Sequence, residues 1–152
     1  MSEDLSSRYV RKTDVQHVLE NPDTYCGSME STGYQTGILE EDRITVREVN
    51  IVPGLYKLFD EALVNCRDHY TRSRTNVNPV TKIEINIDRL TGALRFKNNG
   101  PGIPIQKHSE YDVWIPELIF AHLRTSSNYD KTQKKRTGGK NGYGIKICFI
   151  WS

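Results

Sequence analysis

Residues 55–70 constrain the fold of this chain most strongly, because their apolar positions repeat with the period of an amphipathic helix. Pro53-Gly54 precedes them, and a proline at this point favours a helix start. The apolar stripe recurs at i, i+3 and i+4 spacing and consists of Leu55, Leu58, Phe59, Ala62 and Cys66. A helix of this kind must bury its stripe against another layer, which predicts a two-layer domain.

Shorter patterns predict the elements around this helix. Residues 43–51 are rich in β-branched residues and predict a strand, whereas residues 22–28 read as a turn. The alternating isoleucines of 83–87 predict a half-buried strand that pairs with the run 94–97 through a turn near Gly92. Further helices are predicted over 14–20 (capped by Thr13), 116–124 (beginning at Pro116) and 145–151. Together these elements predict an α+β fold, a two-layer sandwich of helices on a mixed, mainly antiparallel sheet.

Composition limits the class of protein. The chain has 152 residues, of which 36% are hydrophobic and 26% charged, as expected for one soluble domain with a core. It contains no run near 18 apolar residues, which excludes a membrane-spanning helix, and the first 25 residues lack the apolar segment of a secretory signal. Three isolated cysteines (Cys26, Cys66 and Cys148) fit free thiols in a reducing compartment better than a disulfide framework.

Charge alone does not indicate a nucleic-acid partner. The net charge is only +2, and phosphate neutralisation requires a clustered basic face. One local cluster exists, and it comprises Lys131, Lys134, Lys135, Arg136 and Lys140. A solvated loop and an anion site explain this cluster equally well.

The first chemical motif lies on the polar face of the 55–70 helix, where Glu61, Asn65 and Asp68 project on the same side. A carboxylate at Glu61 could accept a proton from water, and the amide oxygen of Asn65 could coordinate a hard cation such as Mg²⁺. An ordinary solvated helix face gives the same pattern.

The second motif is the stretch 98–104, whose sequence NNGPGIP excludes regular structure. Glycines allow the backbone to approach a flat ligand closely, and the Asn99 amide offers a donor and an acceptor to a purine edge. A simple turn at the exit of the hairpin is the alternative.

The third motif is the glycine-rich stretch 139–144 (GKNGYG), which leads directly into an apolar segment. Unhindered backbone N–H groups at a helix start form an anion cradle that suits a polyphosphate. The stretch matches neither the P-loop nor the Rossmann fingerprint, because no Lys-Ser/Thr follows its last glycine and no strand directly precedes it. A flexible linker remains the alternative.

In combination, E-x-x-x-N, N-G-x-G-I-P and G-x-x-G-x-G resemble the nucleotide site of the GHKL ATPases. Longer strings are similar to the ATPase domain of eukaryotic type II topoisomerases, and they include 22–25 (PDTY), 123–130 (LRTSSNYD) and 138–144 (GGKNGYG). The resemblance runs from about residue 13 to residue 152 and implies the GHKL, or Bergerat, fold. Residues 1–12 are expected to form a flexible arm, and 13–152 the N-terminal part of the ATPase domain.

The resemblance also implies site roles. Glu61 would activate the water that attacks the γ-phosphate, Asn65 would bind Mg²⁺ and Asn99 would meet the adenine. Ribose and phosphates would contact Ser126, Ser127 and Asn128. The triphosphate would be wrapped by Gly139, Lys140, Asn141, Gly142, Tyr143, Gly144, Ile145 and Lys146.

At the level of the whole enzyme, the resemblance implies an ATP-operated type IIA DNA topoisomerase in the nucleus. ATP and Mg²⁺ would be its cofactors, and two copies would dimerise at the N-terminal gate. Double-stranded DNA would be the substrate of the full-length enzyme.

The sequence departs from the family pattern at two points. His69 stands where the family usually has asparagine, and it either lies at the surface or tunes the charge of the site. The later strands, the transducer lysine and the cleavage tyrosine of the family are not in the sequence, so we expect this C-terminally truncated chain to hydrolyse ATP poorly alone. A non-catalytic fragment that binds nucleotide or a partner protomer, and a member of another GHKL branch such as a chaperone, are the alternatives.

Overall fold

A computed structural model describes residues 9–125 and 142–152 of the chain. Its helices are α1 (Asp14–Glu20), α2 (Pro22–Tyr25), α3 (Pro53–Ser73), α4 (Ile115–Ala121) and α5 (Gly144–Trp151). Its strands are β1 (Thr32–Glu40), β2 (Arg43–Ile51), β3 (Ile83–Ile87) and β4 (Leu94–Asn98). This combination confirms the predicted α+β fold class. Of the helices described, none has the length and apolar character needed to cross a membrane.

Helix α1 begins at the predicted residue because its first turn is capped on both sides. The Gln16 backbone N–H donates to the Thr13 hydroxyl at 3.2 Å, and the Thr13 N–H donates to the Gln16 side chain at 3.0 Å. This reciprocal pair is a capping box. Pro22 then starts α2, a single helical turn within the stretch 22–28 that the sequence predicted to be a turn.

The described strands form two separate antiparallel pairs. Strands β1 and β2 are joined by Glu41 and Asp42, which both adopt left-handed backbone angles (φ 45° and 68°) as a tight hairpin requires. Strand β2 has the predicted bounds, whereas β1 was not predicted. Strands β3 and β4 pair from Ile83↔Asn98 to Ile87↔Leu94.

The prediction that β3 is half-buried is wrong for the described residues. Its three isoleucines are 36%, 42% and 57% exposed. The alternation of apolar residues correctly identifies a common face of the strand. It does not identify a layer that covers that face.

Two sets of contacts hold α3 between α5 and the β3–β4 hairpin. On one side, Val18, Cys26 and Ile147 form a buried cluster against which Leu58 of α3 packs. On the other side, Phe59 meets Phe96 of β4 edge to face, with ring centroids 5.2 Å apart. The start of α5 is therefore held against the middle of α3.

The helix ends differ from the predicted ends for local reasons. Helix α3 continues to Ser73, whose buried hydroxyl accepts a hydrogen bond from the Val80 N–H at 2.9 Å. Helix α4 ends at Ala121 rather than at residue 124, because His122 is extended and Arg124 is left-handed with φ 61°.

Candidate functional site

Glu61 lies in the middle of α3, and Lys57 holds its carboxylate. Lys57 Nζ lies 2.6 Å from Glu61 Oε1 one helical turn away, and the Glu61 side chain is 24% exposed. The hydrogen bond to Glu61 raises the pKa of Lys57. Lys57 was not among the predicted site residues, although its i, i+4 spacing from Glu61 is the signal that could have identified it.

The other face of the Glu61 carboxyl group lies against Gly144, the first residue of α5. A Cβ atom on Gly144 would fall 2.6 Å from Glu61 Cδ and closer still to Oε2. Only a glycine fits this position without displacing the carboxylate. The first turn of α5, with its positive dipole end and with N–H groups that have no partner within the helix, therefore stands beside Glu61.

Asn65 lies one turn beyond Glu61 on the same face of α3. Its Nδ2 donates to the Glu61 carbonyl oxygen at 2.6 Å, and the residue is exposed. Within residues 9–125 and 142–152, no hydrogen-bond donor to Oδ1 is seen, so this oxygen fits the role of a hard-cation ligand. The same ranges contain no cluster of three or more His, Cys, Asp or Glu suited to a metal. A single amide ligand fits an ion that arrives with phosphates and waters as its other ligands.

The Asn99 amide is occupied by the hairpin itself. Its Oδ1 accepts hydrogen bonds from the N–H groups of Thr81 and Lys82, both at 2.9 Å, and its Nδ2 donates to the Thr81 hydroxyl at 2.8 Å. Both acceptor positions of the oxygen are thus used, and one N–H remains. Asn99 fixes the corner between β4 and the start of β3, and its adenine contact stays a prediction.

The corner that follows β4 packs against α3 about two turns beyond Glu61. A Cβ atom on Gly100 would lie 2.9 Å from Cε1 of His69, and the Asn98 amide reaches the Cys66 thiol at 3.9 Å. Glu61 and His69 are separated by about 12 Å along the helix axis. An extended nucleotide can span that length, so α3 forms one wall shared by the corner and the start of α5.

The described part of the glycine-rich motif makes the turn into α5. Gly142 is left-handed with φ 67°, and Tyr143 then precedes the helix. Lys146 is only 4% exposed and donates to the Thr125 carbonyl oxygen at 2.9 Å, and its burial lowers its pKa. Ile145 is partly buried beside it.

Six predicted site residues lie outside the described residues. They are Ser126, Ser127, Asn128, Gly139, Lys140 and Asn141. The basic cluster between residues 131 and 140 also falls in that range. Their predicted roles stay predictions.

Asp68 is a further residue of α3 for which the sequence indicated no specific role. It was placed on the polar face beside Glu61 and Asn65, yet it is buried, with 3% exposure. The guanidinium of Arg67 lies 3.9 Å from its carboxylate. A buried carboxylate on this wall can accept hydrogen bonds from a ligand.

Comparison with known proteins agrees with this arrangement. Residues 50–150, which run from the end of β2 to α5, match the family described as histidine kinase-, DNA gyrase B-, and HSP90-like ATPase. The chain belongs to this ATPase family. The match contains Glu61, Asn65, the corner after β4 and the start of α5, which confirms the GHKL resemblance read from the sequence.

Individual similar proteins narrow the resemblance within this family to the DNA topoisomerases 2. The chain is 45% identical over 150 residues to a DNA topoisomerase 2 of Penicillium chrysogenum and 44% identical over 149 residues to that of Saccharomyces cerevisiae. It covers 9% and 10% of those proteins, while they cover 97% of this chain.

Solved structures agree with the sequence relatives. The ATPase region of Saccharomyces cerevisiae topoisomerase II superposes with a TM-score of 0.86 at 44% identity, over 94% of this chain and 37% of that one. The ATPase and transducer domains of DNA topoisomerase II from Balamuthia mandrillaris give 0.89 at 42% identity, over 99% and 38%. The predicted likeness to eukaryotic topoisomerase II ATPase regions is confirmed.

Proposed function

We propose that this chain is the ATP-binding part of the gate of a type IIA DNA topoisomerase. The observation that carries the proposal is the contact between the Glu61 carboxyl group and Gly144, with Asn65 one turn away. The contact brings a proton acceptor and a helix N-terminus together inside an ATPase fold. The named relatives, all DNA topoisomerases 2, favour this branch over a chaperone.

In this proposal, Glu61 orients the attacking water and accepts its proton as the water attacks the γ-phosphorus, the bond to the β,γ-bridging oxygen breaks and ADP leaves. Lys57 binds one carboxylate oxygen and so leaves the other directed at the start of α5. The N–H groups of that first turn stabilise negative charge on the phosphates. Mg²⁺, held by Asn65 Oδ1, would neutralise phosphate charge and fix the phosphate geometry.

The remaining contacts follow from the predicted roles. Asn99 uses its remaining N–H toward the adenine, and Ser126, Ser127 and Asn128 contact ribose and phosphates. The stretch 139–146 surrounds the triphosphate. The Lys146 ammonium donates a hydrogen bond to the Thr125 carbonyl and thereby connects α5 to the segment that follows α4.

At the level of the whole enzyme, we propose that nucleotide binding closes two copies of the chain around a DNA segment in the nucleus. The support is the similarity to DNA topoisomerases 2, of which this chain spans about a tenth. Sedimentation of the chain with and without a non-hydrolysable ATP analogue and Mg²⁺ tests the dimerisation step. A single monomeric species in both conditions would contradict it.

Isothermal titration with the same analogue tests the nucleotide site. The unaltered chain should bind it, and more tightly with Mg²⁺ than without. Asn65→Ala should lose the part of the affinity that depends on Mg²⁺, because it removes the proposed ligand oxygen. An equal response to Mg²⁺ in both proteins would contradict that role.

Glu61→Gln tests the proton acceptor. The variant should bind the analogue as the unaltered chain does and should abolish hydrolysis in the full-length enzyme. Glu117→Gln is the matched control, because it removes an exposed carboxylate on α4 that pairs only with His122 among the described residues. Hydrolysis retained by Glu61→Gln would remove Glu61 as the base.

A further inference from the structure

Tyr143, which precedes α5, is fixed from two directions. Its hydroxyl oxygen accepts a hydrogen bond from Arg124 Nε at 3.1 Å. Its ring packs against Tyr25 with centroids 6.0 Å apart, and the Tyr25 hydroxyl is in turn 2.8 Å from His17 Nδ1. Helices α1 and α2 and the turn after α4 therefore meet at the residue that immediately precedes the candidate phosphate-binding helix.

Arg124 lies on a turn that is itself held in place. The Thr125 hydroxyl lies within hydrogen-bonding distance of the carbonyl oxygens of Leu118 (2.7 Å) and His122 (2.8 Å) and shares its proton between them, and the Thr125 carbonyl accepts from Lys146. Arg124 adopts a left-handed backbone angle of 61°, which side-chain-bearing residues rarely use. Such a conformation persists only where the surrounding contacts determine it.

The direction of the first N–H groups of α5 depends on Tyr143. Gly142 before it is left-handed, and the Ile147 N–H donates to the Tyr143 carbonyl oxygen at 3.0 Å to close the first turn. A shift of Tyr143 therefore reorients this turn against Glu61. The Arg124–Tyr143 hydrogen bond is charge-assisted, and Asp14 lies 3.8 Å from the same guanidinium.

We propose that Arg124 is a positioning residue for nucleotide binding, which acts through the hydroxyl group of Tyr143 to hold the first turn of α5. This inference rests on the proposed nucleotide site. It assigns the effect on binding to the hydrogen bond from Arg124 Nε to the Tyr143 hydroxyl rather than to the net charge that Arg124 adds to the protein. The exposed pair with Asp14 adds little, as is usual for surface ion pairs.

A double-mutant cycle on the affinity for a non-hydrolysable ATP analogue with Mg²⁺ tests the proposal. Arg124→Gln and Tyr143→Phe should each weaken binding by about tenfold, which corresponds to about 1.4 kcal/mol. In the Tyr143→Phe background, Arg124→Gln should weaken binding further by less than about twofold, because the contact is already absent. Tyr143→Phe keeps the ring that packs on Tyr25, so the fold is retained.

Two control variants test whether charge, rather than the positioning of Tyr143, explains the change in affinity, and thermal melts test the effect on stability. Arg89→Gln removes an exposed arginine from the β3–β4 turn and should leave the affinity unchanged. Asp14→Asn should also leave it within about twofold. Thermal melts verify that every variant is folded at the titration temperature.

Three outcomes would overturn the inference while leaving the nucleotide site intact. A tenfold effect of Arg124→Gln that persists in the Tyr143→Phe background would mean that Arg124 acts on the nucleotide directly. Unchanged affinity in both single variants, with or without a lower melting temperature, would mean that the contact is only structural. An Arg89→Gln effect as large as that of Arg124→Gln would assign the effect to net charge. Failure of the unaltered chain to bind the analogue would instead refute the proposed function.

Discussion

Gly144→Ala should disable hydrolysis without unfolding the protein, because the added methyl group would displace the Glu61 carboxylate. The Cβ atom would fall 2.6 Å from Glu61 Cδ, and an ordinary van der Waals contact needs about 3.4 Å. The carboxyl carbon must therefore move by about 0.8 Å, and its nearer oxygen by more. The Glu61 carboxylate is the end of a flexible side chain and is bound to the equally flexible Lys57 side chain. We therefore expect the carboxylate to move more easily than the backbone of α5.

The magnitudes follow from this displacement. A misplacement of about 1 Å in a reacting group can lower kcat by about 100-fold. Stability should change by less than about 1 kcal/mol, since alanine restricts the unfolded chain more than glycine does, and this gain of about 0.4–1 kcal/mol offsets part of the strain.

The assay is ATP hydrolysis by the full-length enzyme, together with thermal melts. Gly92→Ala in the β3–β4 turn is the control, because a Cβ atom there meets no described atom within 4 Å and Gly92 has no role in the proposed site. A Gly144→Ala enzyme whose kcat stays within about threefold of the control would refute the contact between Gly144 and Glu61 as a catalytic constraint.

Two further predictions follow from side chains near the site. Asn99→Ala should lower the free energy of unfolding by about 1–2 kcal/mol in urea titrations, because it removes three hydrogen bonds to Thr81 and Lys82; a loss no larger than for exposed Asn76→Ala would contradict this. Burial raises the pKa of the Cys148 thiol to about 11 from its ordinary value of 9.0. Native Cys148 should therefore react with iodoacetamide at pH 8 far more slowly than in urea, as measured by mass spectrometry. As the pH rises, the thiol ionises in the unfolded chain at a lower pH than in the folded chain. The contribution of Cys148 to the free energy of unfolding is therefore present below about pH 9 and is lost as the pH rises toward about 11. Equal alkylation rates, or a free energy of unfolding that does not change across that range, would contradict the burial of the thiol.

The sequence predicted those elements whose signals are local. The Thr13 cap located the start of α1, and the apolar stripe of 55–70 located α3, because capping and helical periodicity depend on neighbouring residues. Strand β1 escaped prediction because its sequence, TGYQTGILE, contains two glycines and no steady alternation. Its pairing with β2 through Glu41 and Asp42 is what defines it.

The sequence predicted a set of candidate site residues but not the contacts that the described ones make. The spacing of Glu61 and Asn65 placed both on one face of α3, as the structure has them. Three contacts depend on tertiary packing. They are the close approach of Gly144 to Glu61, the hydrogen bond from the Lys82 N–H to Asn99, and the hydrogen bond from Arg124 to Tyr143. Residues far apart in sequence meet in each case, and no local pattern encodes such meetings.

A crystal structure of the chain with a non-hydrolysable ATP analogue and Mg²⁺ would test the central claim most directly. We predict a terminal phosphate beside the first turn of α5, within reach of the Glu61 carboxylate, and Mg²⁺ bound by Asn65 Oδ1. A triphosphate bound away from Gly144, or Mg²⁺ bound without Asn65, would contradict the account.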